Sequence, residues 1–268
     1  MKANKVDYQF KKFNHLLVLD LKSNKNNHTI ARCRCDCGNI CDKKLSMIKI
    51  GHVKSCGCLA QKTRFTKNSK YKLLNNFSEN NKISTYWAGF LFGDGNIDIN
   101  NKLQVCLGLD SKEHLQKLSM FLIGKDIVKI YNDRCQLQIT SDILANNLSK
   151  FGIIPRKTYN STIILPKNKK LHKHFIRGYL DADGWISIKK DRTYEYVNIG
   201  ICSYLKDNLD IVAKNIPIPN KEPKKIKTRK LYELRYYRKK DIDCIINYLF
   251  DDSIYLEIKW KKIAHLIS

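Results

Sequence analysis

The chain has 268 residues, 43% of them apolar, with 50 Lys+Arg against 25 Asp+Glu and a formal net charge of +25. That length allows one large domain or two to three small ones with ordinary cores, and the charge calls for a polyanionic partner. The sequence contains no run of about 18 apolar residues, and the opening MKANKVDYQFKKF has no apolar centre. A spanning helix, a signal peptide and a membrane partner are therefore not expected, which leaves nucleic acid, met in the cytoplasm.

In chain order, the first pattern is a β-hairpin over residues 14–32: HLLVLDL, a polar turn SNKNNH, then TIARC. Six of the ten cysteines follow in Cys33–Cys58, a crowding that suggests reduced thiols around a metal rather than disulfides. Zinc takes four soft ligands in a tetrahedron and can replace the core that a piece of about 60 residues cannot build. The ligand set chosen is Cys35, Cys37, Cys56 and Cys58, with Cys33 as the main competitor and Cys41 and His52 as outside candidates. Gly38 and Gly57 fall where tight turns are needed. The pair CDCGN and SCGC resembles a small zinc-binding module found beside phage-encoded endonuclease domains. Cys106, Cys135, Cys202 and Cys244 read as plain buried thiols.

Residues 61–82 are polar, basic and rich in Asn and Ser, and read as a linker. Residues 1–82 hold 18 Lys+Arg against 5 Asp+Glu, half of the whole excess charge. From Ile83 onward one order of elements occurs twice: helix, strand, strand, helix, strand, strand, helix. The first copy runs ISTYWAGFLFG, NIDINN, KLQVCLGL, SKEHLQKLSMFLIG, DIVKIY, RCQLQIT and SDILANNLSKFG, with Ser84 expected as N-cap of its first helix. The second runs KKLHKHFIRGYLDA, GWISIKK, YEYVNIGIC, YLKDNLDIVAKNI, KKIKTRK, LYELRYY and KKDIDCIINYLF. The expected class is α+β, with a zinc module at 1–60, a basic linker at 61–82, and two similar halves at 83–160 and 161–268.

Each copy opens on a related stretch, WAGFLFGDG at Trp87–Gly95 and IRGYLDADG at Ile176–Gly184. Aligned, Gly89 meets Gly178, Gly93 meets Ala182, Asp94 meets Asp183 and Gly95 meets Gly184. Each is an apolar helix that ends at an acid followed by glycine. Small residues four apart share a face, so the two helices can approach closely and deliver Asp94 and Asp183 side by side. Two carboxylates forced together favour a divalent cation. An acid at a helix C-terminus opposes the helix dipole, and its presence in both copies points to a functional reason.

The doubled motif and doubled order resemble a single-chain LAGLIDADG homing endonuclease over about residues 77–268. The resemblance implies that the motif helices form the interface of two pseudo-symmetric αββαββ(α) halves whose antiparallel sheets make a saddle over double-stranded DNA. It further implies that Asp94 and Asp183 bind catalytic magnesium, helped by the carbonyls of Gly93 and Ala182. Each centre would cut one strand and leave a 3′ overhang, in a monomer. A lysine after the last helix of each half matches Lys157 and Lys259, with Lys261 and Lys262 as rivals of the latter. Position six departs from the pattern, being Asp181 in the second motif and Phe92 in the first.

Alternating strand residues can face the major groove. The candidates in the first half are Asn96, Asp98, Asn100, Lys102, Gln104, Arg134, Gln136, Gln138 and Thr140. In the second they are Trp185, Ser187, Lys189, Arg192, Tyr194, Asn198, Lys227, Arg229, Arg235 and Tyr237. The competing readings are a DNA-binding regulator without activity, an intron RNA maturase on the same fold, and a zinc-stabilised adaptor. An intein is not expected, because the sequence lacks a terminal His-Asn pair.

Overall fold

The computed structural model describes residues 8–23, 28–58, 70–191, 194–219 and 221–267. The chain divides into two compact units, residues 1–67 and 68–268.

The smaller unit is one antiparallel sheet in the order β1 (Lys12–Phe13), β2 (Leu16–Ser23), β3 (Thr29–Cys35), β4 (Ile40–Lys44), followed by the short helix α1 (Leu45–Lys49). Its core is slight: Leu16, Val18, Leu21, Ala31, Cys33, Cys35, Leu45 and Ile48. Among the described residues these are eight buried side chains, little for a unit of this size, and an added cross-link would stabilise it. Gly38 at φ 91° and Gly57 at φ 126° turn the chain beside Cys37 and between Cys56 and Cys58. An L side chain at either φ would be strained.

The larger unit is built twice. Helix α2 (Lys82–Asp94) leads into β5 (Gly95–Ile97) and β6 (Lys102–Gly108), then α3 (Lys112–Ile123), β7 (Lys129–Ile130), β8 (Arg134–Thr140), α4 (Asp142–Ser149) and the single turn α5 (Lys157–Asn160). Helix α6 (His172–Asp183) leads into β9 (Gly184–Asp191) and β10 (Tyr194–Ser203), then α7 (Lys206–Asn215), β11 (Lys224–Lys225), β12 (Tyr232–Tyr236), α8 (Lys239–Leu249) and the turn α9 (Glu257–Trp260). The sheets have matching orders, β5-β6-β8-β7 and β9-β10-β12-β11, all antiparallel. This is the α+β architecture expected from the doubled order.

Several local expectations change. Asn81, not Ser84, caps α2: the Asn81 side chain accepts from the Ser84 N–H, and the Ser84 hydroxyl accepts from the Asn81 N–H. Residues 70–81 pack on the first half instead of acting as a linker. Phe77 is buried with its ring 5.7 Å from that of Phe121, and the Leu74 N–H donates to the Leu122 carbonyl. The stretch at 59–69 lies outside the described residues. Cys106 is exposed on β6, while Cys135 is buried.

Helix α2 packs along α6. From Ser84 to Phe92 every residue of α2 is buried, and so is every residue of α6 from His174 to Asp181. A helix buried all round has no solvent face and needs neighbours on every side. At the crossing the backbones themselves touch. A Cβ on Gly89 would lie 1.9 Å from the Phe175 carbonyl oxygen, and one on Gly178 would lie 2.0 Å from the Tyr86 carbonyl oxygen. Neither obstacle is a side chain that could rotate away. Gly89→Ala and Gly178→Ala should each lower unfolding free energy by about 3 kcal/mol, whereas Gly108→Ala, with nothing within 4 Å of the added carbon, should stay within about 0.5 kcal/mol of the parent. Denaturant titration of the three variants checks this, and equal midpoints for all three would contradict it.

Candidate active site

The C-termini of α2 and α6 meet where the two sheets begin. A Cβ on Gly93 would lie 2.4 Å from the Ala182 Cβ and 3.2 Å from the Asp183 carboxylate. The two motif ends are therefore in contact, and Asp94 and Asp183 stand next to each other. Burial, and then the charge of Asp183, push the Asp94 carboxyl up to about 6 against the pull of Lys259 and Lys157. Burial also raises Asp183, although its residue is open to solvent; the dense protein on its other sides accounts for both facts, and Lys157 and Lys259 again oppose the rise. A pair of crowded carboxylates at an accessible point is short of positive charge.

Two lysines supply part of it. The Lys157 ammonium donates to the carbonyls of Phe92 and Gly93, the latter at 2.7 Å. The Lys259 ammonium donates to Leu180 at 3.1 Å, Ala182 at 3.0 Å and Gly184 at 2.6 Å. Each lysine thus donates to carbonyls at the end of its own motif helix, where the helix dipole is negative. Burial lowers both ammonium pKa values; Asp183 and Asp94 oppose that at Lys157, and Asp181, Asp94 and Asp183 oppose it at Lys259. Of the rivals, Lys261 is exposed and paired to Glu257 at 3.0 Å. The Gly93 and Ala182 carbonyls, which the resemblance offers as metal ligands, here accept from the lysines. A carbonyl keeps a second lone pair, so either could still take part.

The two residues at motif position six sit in protein. Phe92 packs against Phe175 and Tyr179. Asp181 is buried and accepts three hydrogen bonds, from the Tyr86 hydroxyl, the Trp260 indole and the Leu256 N–H. Sequence reasoning missed Tyr86 and Trp260. Their only signal is that they are polar-tipped aromatics within otherwise apolar runs.

One face of each sheet is polar. On the first, Asn96 pairs with Gln104, Gln104 with Gln138, Lys102 with Thr140, and Gln136 with both Cys106 and Lys129; Arg134 stands exposed at the end. Lys129 and Cys106 belong to this face and are visible only through register. Asp98 differs from expectation: its carboxylate accepts from the N–H groups of Asn100 and Lys102 and closes the β5–β6 turn, in which Asn100 lies. On the second sheet Trp185 lies over Gly200 and under the Arg235 guanidinium, 5.6 Å from the ring. Asn198 is buried beneath it, its Oδ1 accepting from the indole at 3.3 Å, and the Ser187 hydroxyl is buried as well. These two are not free to meet a ligand. Lys189, Tyr194 and Tyr237 are exposed. Lys227 and Arg229 sit in the β11–β12 turn rather than on a strand, because β11 covers only Lys224–Lys225. Arg192 lies outside the described residues.

In the smaller unit the sulfurs of Cys35, Cys37, Cys56 and Cys58 all lie within 4.8 Å of one another. Cys35 and Cys58 are 3.6 Å apart, and Cys37 and Cys56 3.4 Å. Backbone N–H groups of Cys37 and Cys56 aimed at the Cys35 sulfur hold its thiol down to about 6. Cys33 is not in the group. It points into the core, its Sγ donates to the Ala31 carbonyl, and burial raises its thiol to about 11.

The charge balance at the motif ends gives a direct expectation. Asp183→Asn removes the like charge beside Asp94, so the Asp94 pKa should fall below about 6, while burial, the larger cause, still holds it above ordinary carboxylate values. Stability follows with a definite sign: a carboxyl raised in the folded state makes folding less favourable as pH rises from its unfolded value through about 6. In the absence of divalent cations, Asp94→Asn should therefore gain stability over the parent at pH 7 and lose that advantage at pH 4. Carboxyl-carbon NMR titration and urea unfolding at the two pH values check both parts.

No family model matches the chain. Among curated proteins, a probable translation initiation factor IF-2 of Thermococcus kodakarensis is 30% identical over 115 residues, which is 40% of this chain. The chain spans about a tenth of the length of that relative. Among solved structures, the LAGLIDADG homing endonuclease I-GzeII, in complex with a DNA target, aligns at a TM-score of 0.53 over 70% of this chain and 91% of that one, with 13% identity. A single-site variant of I-SmaMI aligns at 0.50 over 70% and 92%, with 12% identity. With two similar halves, two glycine-crossed motif helices and two matching sheets, the larger unit of this chain has the fold of the LAGLIDADG homing endonucleases.

Proposed function

We propose that the chain is a site-specific endonuclease that hydrolyses both strands of double-stranded DNA with divalent cations and leaves 3′ overhangs. The observation that carries this reading is the pairing of Asp94 with Asp183, between two lysines, at the point where both polar sheet faces begin. The DNA-bound state of I-GzeII supports the choice of partner. The net charge of +25 supports it independently.

Asp94 and Asp183 would hold magnesium, and the raised carboxyls fit a site whose deficit of positive charge a cation relieves. Bound there, the metal supplies charge neutralisation and an acidified water. The chain's own residues do the rest. Lys157 and Lys259 place ammonium charge beside the scissile phosphate, where negative charge grows as water attacks in line and the 3′ oxygen leaves. Gln104, Gln136, Gln138 and Asn96 offer the paired donors and acceptors that read adenine, and Arg134 and Arg235 suit guanine or phosphate. Both motif helices come from one chain, so the reading requires only a monomer.

For the smaller unit we propose one structural zinc on Cys35, Cys37, Cys56 and Cys58. Zinc–sulfur bonds of about 2.3 Å at tetrahedral angles set sulfurs roughly 3.8 Å apart, which the observed spacings of 3.6 and 3.4 Å approach. A reducing cytoplasm suits such a thiolate site.

A magnesium-dependent selection on randomised duplex DNA tests the nuclease. The parent should yield a discrete cleaved sequence, and Asp94→Asn and Asp183→Asn should nick or fall silent while still retarding that duplex in a gel. Full double-strand cutting by both variants would sink the assignment. For the zinc site, elemental analysis of reduced protein should give about one zinc per chain. Cys58→Ser should lose it, and Cys33→Ala should keep it.

A further inference from the structure

Asp181 shares a motif with Asp183 but turns away from it into protein, where it is 1% exposed. Its Oδ1 accepts from the Trp260 indole at 2.7 Å. Its Oδ2 accepts from the Tyr86 hydroxyl at 2.7 Å and from the Leu256 N–H at 2.8 Å. Two of these donors bracket a third residue. Leu256 precedes α9 and Trp260 ends it, and between them stands Lys259, whose N–H donates back to the Leu256 carbonyl. One buried carboxylate therefore pins both ends of the single turn that carries the Lys259 ammonium to the end of α6.

The first half solves the same problem differently. Position six there is Phe92, whose side chain cannot accept a hydrogen bond. Lys157 opens α5 after Arg156, whose backbone is left-handed at φ 59°, and its ammonium lies 5.7 Å from the Phe92 ring centre. One lysine is seated by a buried carboxyl group and its three donors, the other by a left-handed turn and an aromatic face.

We propose that Asp181 is a positioning residue that seats Lys259, and that the two centres are consequently unequal: loss of Asp181 disables one strand cut and spares the other. The strand consequence rests on the nuclease reading; the seating of the turn does not. An Asp181→Asn side chain presents one carbonyl and one amide group to the same surroundings. The Tyr86 hydroxyl can reverse its role, but the Leu256 and Trp260 N–H groups can only donate, so one of them loses its partner in a buried place. A turn displaced by about 1 Å is enough to slow chemistry roughly 100-fold.

The test uses the full-length protein. Hydrogen exchange should show that Asp181→Asn releases the amides of Leu256, Lys259 and Trp260 while α2 and α6 keep their protection, and that Tyr86→Phe, which leaves both turn anchors intact, does not. Unchanged protection of Leu256 in Asp181→Asn would overturn the seating. On the duplex recovered by selection, strand-labelled cleavage should show one strand cut roughly 100-fold more slowly by Asp181→Asn, the same strand that Lys259→Met slows. In the Lys259→Met background, Asp181→Asn should add less than about twofold, because it acts through that lysine. Equal slowing of both strands, or multiplicative effects in the double variant, would mark general destabilisation and overturn the proposal. If Asp181→Asn does not fold, Trp260→Phe removes one anchor, keeps the ring, and is read by the same measurements. Freed turn amides in a protein whose parent cuts no DNA would support the seating and reject the nuclease.

Discussion

Where α2 crosses α6 no side chain separates the two backbones, because Gly89 and Gly178 leave room for carbonyls to lie against the facing helix. The arrangement of the larger unit depends on that approach. It brings the helix ends together as well as their middles, so that Gly93 meets Ala182 and the two terminal aspartates become neighbours. It also fixes where the sheets start, since each helix runs straight into its first strand at Gly95 and Gly184. A pair of helices held apart by ordinary side chains would pack 8–10 Å between axes, and the two carboxylates would no longer share one environment.

That environment is unfavourable to the bare protein. Two helix C-termini point their negative ends, and two carboxylates, at one place. Lys157 and Lys259 offset this by donating to carbonyls at the helix ends, each from its own half and each from a short turn late in that half. The site thus combines groups that would repel one another with cations built in from the chain. An arrangement of this kind persists only where the surrounding structure holds it, and here a closely packed, almost wholly buried helix pair does so.

The doubled order of elements was legible because helices and strands of the two halves carry clear periods and clear stops, such as Gly124 at φ 70° after α3. The cysteine set was legible from spacing, and the structure removes Cys33 for a reason that strand parity does not reveal: it faces the same side as Cys35 but lies one step deeper in the core. Strand parity also placed Asn96, Gln104 and Gln138 correctly on one face. It failed at Asp98, where a carboxylate two residues before a turn bonds the backbone locally, and at Asn198, where a neighbouring tryptophan covers the site. It failed again at Lys227 and Arg229, which a basic run placed on a strand and a turn claimed.

By itself the sequence determined the α+β class, the internal duplication, the two aspartates each followed by a glycine and the cluster of thiols. These follow from local rules: periodicity, helix stops and the spacing of like residues along one chain. Only the tertiary structure decided that Lys157 and Lys259 cap the motif helices, that Asp181 serves the protein interior instead of the site, and that Trp185 shields Asn198 beneath it. Those facts join residues as far apart as Tyr86 and Asp181, or Asp181 and Trp260. A hydrogen bond across such a distance in sequence leaves no local pattern, because its partners are chosen by how whole elements pack.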